Sequence, residues 1–175
     1  MGAVATRGRA TNLYNIYSNA IIECTSNEAK DLKVGGLVGF LQARANATTV
    51  YSRCEVRKCV FEGSVIGNFG AGAGGIVGAD NNGGSTQANV HIGDCLNLGS
   101  VTGDTQVGGI IGATRLNALV YNCINIGEVN GNSQVGSIIG YPIEAIEIEN
   151  CYCSTDLAPY GTTGAAVEFS GKRVD

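Results

Sequence analysis

The groups in this 175-residue chain that could perform chemistry are its cysteines, one histidine and scattered carboxylates. Five of the seven cysteines follow one another at steps of 35, 36, 28 and 28 residues. Zinc sites use close cysteine pairs together with a second pair or with histidines, and this spacing offers neither. We therefore predict a column of small, buried, reduced side chains rather than a metal site or disulfides, formed by Cys24, Cys59, Cys95, Cys123 and Cys151.

Histidine and carboxylate chemistry is poorly supported by the sequence. A catalytic His91 would need a nucleophile and an orienting acid nearby, and its alignment with Tyr121 and Glu147 predicts a surface position. Polysaccharide hydrolases need two acids at a fixed separation, whereas the acids here are dispersed. The segment Asp80-Asn-Asn-Gly-Gly lacks the bidentate acid that completes a calcium loop, so we interpret it as a polar connection. The prediction is a chain without catalysis, cofactor or bound metal.

The elements that position these residues come from a repeat. Two stretches are identical at 11 of 18 positions: CLNLGSVTGDTQVGGIIG (Cys95–Gly112) and CINIGEVNGNSQVGSIIG (Cys123–Gly140). Counting from each cysteine, even offsets carry Cys, Asn, Gly and Val, whereas odd offsets vary and include Glu128. Side chains two apart share one face of a strand, so the even face is predicted to point inward. Asn97 and Asn125 should then form a buried amide ladder.

Further strands complete each repeat. One precedes the cysteine, and polar residues at Asp94, Asn122 and Asn150 predict corners between the two. A third strand is the VGGIIG element, whose glycines we expect at crowded corners and at positive φ. One repeat cannot bury its own inner face, so repeats must stack. The predicted fold is an all-β parallel β-helix, a β-solenoid of about five coils with three short strands per coil. Residues 1–175 form its single domain, with repeat units at about 14–39, 50–78, 88–112, 118–140 and 145–167.

The odd, outward positions predict a contact surface. They hold apolar residues in several coils, which either lie under projecting loops or form an exposed stripe for a partner. This candidate partner surface comprises Val60, Leu96, Leu98, Ile124, Ile126 and Tyr152. Other interaction classes are disfavoured. The net charge is −4 with only short basic clusters, which argues against nucleic acid, and no run of about 18 apolar residues predicts membrane insertion.

The repeat unit C-x-N-x-G-x-V-x-G…V-G-G-[IL]-[IV]-G resembles the GLUG repeat of bacterial surface and secreted proteins, which occurs in immunoglobulin A-specific metallo-endopeptidases and in other cell-envelope proteins. The resemblance covers residues from about Tyr14 to Val167, and NCYCSTD (Asn150–Asp156) resembles a closing unit of such arrays. It implies an exported β-helix-like segment of a longer protein, located outside the cell or on its surface. It carries over no catalytic residues, and no H-E-x-x-H motif is present.

The expected function is therefore a non-catalytic module for adhesion, spacing or display. Its partner would be a host protein, a glycan or flanking domains of the parent chain. The alternative is a β-helix carbohydrate-active enzyme, such as a polysaccharide lyase or hydrolase. A cleft with convergent acids would distinguish the second from the first.

Overall fold

The computed structural model describes residues 1–9, 11–24, 32–43, 52–67, 72–81, 88–115, 118–144, 146–154, 158–161 and 167–174. Within these ranges all regular structure is β-strand, and every strand pairing is parallel. The same ranges contain no helix long and apolar enough to cross a membrane.

Strand β1 (Ala5–Arg9) precedes four coils of five strands each, and two longer strands follow them. The first coil contains β2 (Asn12–Tyr14), β3 (Tyr17–Ser18), β4 (Ile21–Cys24), β5 (Lys33–Gly35) and β6 (Val38–Gln42). The second contains β7 (Ser52–Arg57), β8 (Val60–Phe61), β9 (Ser64–Gly67), β10 (Gly72–Gly74) and β11 (Val77–Asn81). The third contains β12 (Ala88–Gly93), β13 (Leu96–Asn97), β14 (Ser100–Thr102), β15 (Thr105–Gly108) and β16 (Ile111–Thr114). The fourth contains β17 (Ala118–Tyr121), β18 (Ile124–Asn125), β19 (Val129–Asn130), β20 (Ser133–Gly136) and β21 (Ile139–Pro142), and β22 (Ile146–Ser154) and β23 (Val167–Val174) come last.

Equivalent strands of successive coils pair side by side and form four sheets. Sheet A has the order β1-β6-β11-β16-β21, and sheet D has β5-β10-β15-β20. Sheet C has the order β4-β9-β14-β19. Sheet B holds the strands on both sides of the cysteine corner, and its two rows join at β22. The parallel β-helix predicted from the repeat is confirmed.

Each complete coil has five strands, not the three predicted. The stretch after the cysteine divides into two strands, as in β13 and β14, and the VGGIIG element turns between β15 and β16. The turns fall at Gly99 and at Gly109. Each turn is so short that the alternation of inward and outward residues does not show where one strand ends and the next begins.

The predicted cysteine corner is confirmed by the backbone. Asp94, Asn122 and Asn150 have φ values of 55°, 51° and 50°, in the left-handed region that asparagine and aspartate tolerate best among non-glycine residues. Asn15 and Lys58 occupy the same corner in the first two coils, with φ of 57° and 55°. Polar residues therefore make this turn in every coil.

The core consists of columns of like residues. At the turn between sheets D and A the column is aliphatic throughout and has no solvent exposure, with members Leu37, Ile76, Ile110 and Ile138. Burying such a side chain contributes about 1.5–3 kcal/mol. Because each coil repeats the same inward residue, the apolar surface of one coil is covered by the next.

The predicted amide ladder is present. Asn97 and Asn125 are paired in register and fully buried. Asn97 Nδ2 donates to Asn125 Oδ1 at 2.7 Å and to the Gly99 carbonyl at 3.0 Å. Asn125 Nδ2 donates to the Gly127 carbonyl and to Ser137 Oγ, both at 3.2 Å. The inward and outward faces of this strand were therefore assigned correctly.

Of the two expected reasons for the glycines, crowded corners are confirmed and positive φ is wrong. The left-handed residues at the corners of the described chain are non-glycine residues, and the glycines of the VGGIIG element serve close approach instead. A Cβ on Gly108 would overlap the Ile111 carbonyl oxygen and lie 2.6 Å from the Gly140 nitrogen. Sheets A and D thus pack backbone against backbone, which leaves no room for a side chain.

Candidate functional site

The cysteine column holds four of the five predicted members. The registers Leu96↔Val60, Leu96↔Ile124 and Ile124↔Tyr152 bring the preceding residues side by side, and these are all buried cysteines: Cys59, Cys95, Cys123 and Cys151.

Cys24 is not a member of the column, which corrects the predicted alignment. Tyr17 pairs with Val60, so Ile16 occupies the cysteine position in the first coil. Cys24 lies instead in sheet C, opposite Gly67. The error arose because the alignment matched cysteine to cysteine. The corner that marks the repeat in the first coil is Asn15, which has the left-handed backbone conformation and directly precedes Ile16.

The thiols have a polar role that the sequence interpretation missed. Each column sulfur donates to the carbonyl two residues before it: Cys59 to Arg57 at 3.1 Å, Cys95 to Gly93 at 3.2 Å, and the two later thiols at 3.3 Å. These carbonyls immediately precede the left-handed corner. A cysteine at this position therefore packs as a small apolar side chain and also donates a weak hydrogen bond to the carbonyl before the corner.

Burial also governs the ionisation of Cys123 within the column. It raises the pKa of the Cys123 thiol well above its ordinary value, and the neighbouring sulfurs of Cys95 and Cys151 raise it further. A thiol held in its neutral form is a poor nucleophile and a poor metal ligand. All seven cysteines are buried thiols, including Cys54 and Cys153 outside the column. The described residues contain no group of three or more His, Cys, Asp or Glu side chains able to hold a metal ion.

His91 lies on the outer face of sheet B. It pairs with Glu55 and with Leu119, and Leu119 in turn pairs with Glu147. Tyr121, which the sequence alignment placed beside it, pairs with Gly93 instead. Partial burial and the nearby Arg53 lower the pKa of His91, so the imidazole is predominantly neutral at pH 7.

Asp80 is the acid whose setting differs most from its predicted one. It was expected in a polar connection, but it pairs with Leu41 in the inward row of sheet A and is buried. Its carboxylate accepts Thr114 Oγ1 at 2.6 Å and the Arg115 backbone N–H at 2.7 Å. Burial raises the pKa of Asp80 to about 7. A single acid so enclosed does not form a catalytic pair.

The outward apolar residues form a continuous row across sheet B. Val60, Leu96, Ile124 and Tyr152 follow one another in register. Leu98 and Ile126 form a second row beside it, and Ile126 is 59% exposed. Ile124, Leu98 and Tyr152 are also exposed, whereas Val60 and Leu96 are half-buried.

The row extends one coil further than predicted. Tyr17 pairs with Val60 and is 60% exposed, and its hydroxyl donates to Glu62 Oε2 at 2.6 Å. The misplaced first repeat hid it, although the Asn15 corner two residues earlier could have revealed it. We call the seven residues the apolar stripe: Tyr17, Val60, Leu96, Leu98, Ile124, Ile126 and Tyr152.

Comparison of the chain with protein-family models, with curated proteins and with solved structures finds no match in any of the three.

Proposed function

We propose that this chain is a non-catalytic β-helix module of a bacterial cell-surface or secreted protein, which acts in adhesion, spacing or display. The GLUG-like repeat supports the exported setting. The observation that carries the proposal is the apolar stripe, which crosses the four coils and β22 on one outer sheet face. Single exposed apolar residues are ordinary, but a stripe aligned by register presents a continuous contact surface.

The stripe suits contact with another protein or with the apolar face of a sugar. Its residues stand on a parallel sheet whose strands, except β3 at the edge, pair on both sides, so the surface is preorganised and loses little entropy on binding. Aromatic residues at both ends, Tyr17 and Tyr152, supply large rigid contact area. Ile124 and Ile126 lie between the central coil and Tyr152, and both are exposed, so their truncation should cost affinity.

The test is a binding screen of the purified chain on host-protein and glycan arrays, followed by calorimetry on the hits. The double variant Ile124→Asn/Ile126→Asn should weaken binding at least tenfold. Ile21 provides the matched control, because it is 76% exposed but lies on sheet C. The Ile21→Asn variant should bind as the unmodified chain does.

Two results would contradict the proposal. Equal binding by the stripe variant and the control would remove the stripe as the contact surface. Release of reducing sugar from a polysaccharide panel would show catalysis and support the enzyme alternative. The exported location is tested separately, since antibodies against the chain should label intact cells of the source organism or its culture medium.

A further inference from the structure

A groove of about 580 Å³ lies on the outer surface where sheets A and D meet. This volume falls within the range of small-ligand sites, about 300–1,000 Å³. The groove is remote from the apolar stripe, which belongs to sheet B. Its principal lining residues are Arg7, Lys33, Phe40, Ala79, Gln106 and Ala113.

The floor of the groove arises from a change of residue size at one repeat position. Arg7 pairs with Phe40, Phe40 with Ala79, Ala79 with Ala113, and Ala113 with Tyr141. The second and third coils thus carry alanine where the first and fourth carry an aromatic ring. The two alanines leave an apolar depression between the rings.

One wall of the groove is formed by the side chain of Lys33, which passes over Gly72. Lys33 pairs with Gly72, and its ammonium donates to Gln106 Oε1 at 3.0 Å. A Cβ on Gly72 would lie 3.1 Å from Lys33 Cδ and 3.2 Å from Nζ. Glycine therefore lets the lysine side chain lie along the sheet, which places its charge at the groove.

Positive charge converges on this groove. Arg7, Lys33 and Arg115 line it, three of the 11 Lys and Arg residues in a chain of net charge −4. Arg7 donates to Gln42 Oε1 at 2.5 Å, and its guanidinium lies 5.6 Å from the centre of the Phe40 ring, so its position is fixed by two contacts. The acid in the lining, Asp80, is turned inward and occupied by Thr114 and the Arg115 N–H.

We propose that the groove binds an acidic saccharide of one or two rings, with its carboxylate or sulfate on Arg7 and Lys33. The guanidinium suits a planar oxyanion and the ammonium adds a point charge. The Gln106 amide can exchange hydrogen bonds with hydroxyl groups. The depression above Ala79 and Ala113, which are themselves almost wholly buried, has room for a sugar ring, a feature that a site for a bare anion would not need. This site goes beyond the proposed function and does not depend on the stripe.

The test measures binding by calorimetry at low salt with four probes: digalacturonate, a sulfated disaccharide, lactose and inorganic sulfate. Digalacturonate or the sulfated disaccharide should bind, and the stronger of the two identifies the acidic group. Raising the salt from 20 to 300 mM should weaken binding severalfold, because exposed charges are screened. Lactose and sulfate should bind at least tenfold more weakly.

Four variants test separately the charge of the groove, its shape and its location on the molecule. Arg7→Gln and Lys33→Gln should each weaken binding at least fivefold. Ala113→Phe should abolish binding without unfolding the chain, because aromatic residues already occupy this position in the first and fourth coils. Arg53→Gln is the charge control, since Arg53 lies on sheet B and pairs with Glu55, and it should bind normally.

Any of the following results would overturn the proposal. They are equal binding of lactose, equal binding of sulfate, or normal binding by both the Ala113→Phe and the Arg7→Gln variants. Absence of binding by both acidic saccharides at millimolar concentration would refute it as well. The Ile124→Asn/Ile126→Asn variant should retain saccharide binding, so failure of the stripe and failure of the groove are distinguishable.

Discussion

Replacing Asn125 by leucine perturbs the buried amide pair with little change of volume. The substitution removes the acceptor of Asn97 Nδ2 at 2.7 Å and the donor to Ser137 Oγ at 3.2 Å. Asn97 keeps its bond to the Gly99 carbonyl, so one N–H is left unsatisfied at a position with no solvent exposure. Leucine branches at Cγ as asparagine does, so it should occupy the same space.

The magnitude follows from these contacts. An unsatisfied buried N–H costs about 1–3 kcal/mol, and the bond lost by the Ser137 hydroxyl adds about 1 kcal/mol. The Gly127 carbonyl also loses its donor, but Gly127 is only half-buried, so water can replace it. The added apolar surface of leucine offsets about 1 kcal/mol. We expect the free energy of unfolding to fall by about 1–3 kcal/mol.

The assay is urea unfolding followed by circular dichroism and by tyrosine fluorescence, since the chain has seven tyrosines and no tryptophan. Asn130→Leu is the matched control. Asn130 belongs to the same coil but is exposed, with a bond to Glu128 Oε1 at 2.9 Å, and its substitution should change stability by less than about 0.5 kcal/mol. If Asn125→Leu is as neutral as this control, the reasoning about the ladder is refuted.

Three further predictions concern backbone packing, buried acid and thiols. Gly108→Ala should unfold the chain or destabilise it by at least about 3 kcal/mol in the same urea assay, because the new Cβ overlaps backbone that cannot move away; near-neutral behaviour would contradict the close packing of sheets A and D. The pKa of Asp80 is about 7 in the folded chain and about 3.9 in the unfolded chain. Between these pH values the folded state holds a proton that the unfolded state has lost, so the free energy of unfolding should fall by up to about 4 kcal/mol as pH rises from 4 to 7. Asp80→Asn should remove that slope, and an unchanged slope would assign it to another group. A thiol reagent should label the native chain slowly and all seven cysteines after unfolding without reductant; rapid native labelling of Cys123 would contradict its burial.

Most of the correct predictions came from the alternation of inward and outward residues along each strand. The inward positions of Asn97 and Asn125 and the corners at Asp94, Asn122 and Asn150 followed from period two and from one polar phase break per coil. These features depend only on neighbouring residues in sequence, so a single repeat unit contains the information. The stacking of like on like then followed from duplication.

The errors arose where geometry depends on residues distant in sequence. Cys24 matched the repeat by type, but the pairing of Tyr17 with Val60 shows that Ile16 takes the cysteine position. Asp80 looks like the start of a polar loop, yet its strand continues far enough to turn it into the core beside Thr114. The groove depends on alanines in two coils and on cations in β1, in β5 and just after β16, a juxtaposition that no local pattern reveals.

The amide ladder also determines which coils could be duplicated within the stack. A Cβ on Gly109 would overlap Cγ of Asn125 in the next coil, and one on Gly75 would lie 2.6 Å from Cγ of Asn97. The fourth coil has Ser137 at this glycine position, and the register places Cys153, a smaller residue than asparagine, at the next step. A second copy of the third coil could therefore be inserted beside the first, since glycine would again lie under asparagine. A second copy of the fourth coil would place serine under asparagine and clash, so growth of such an array by duplication is permitted on one side of Ser137 and blocked on the other.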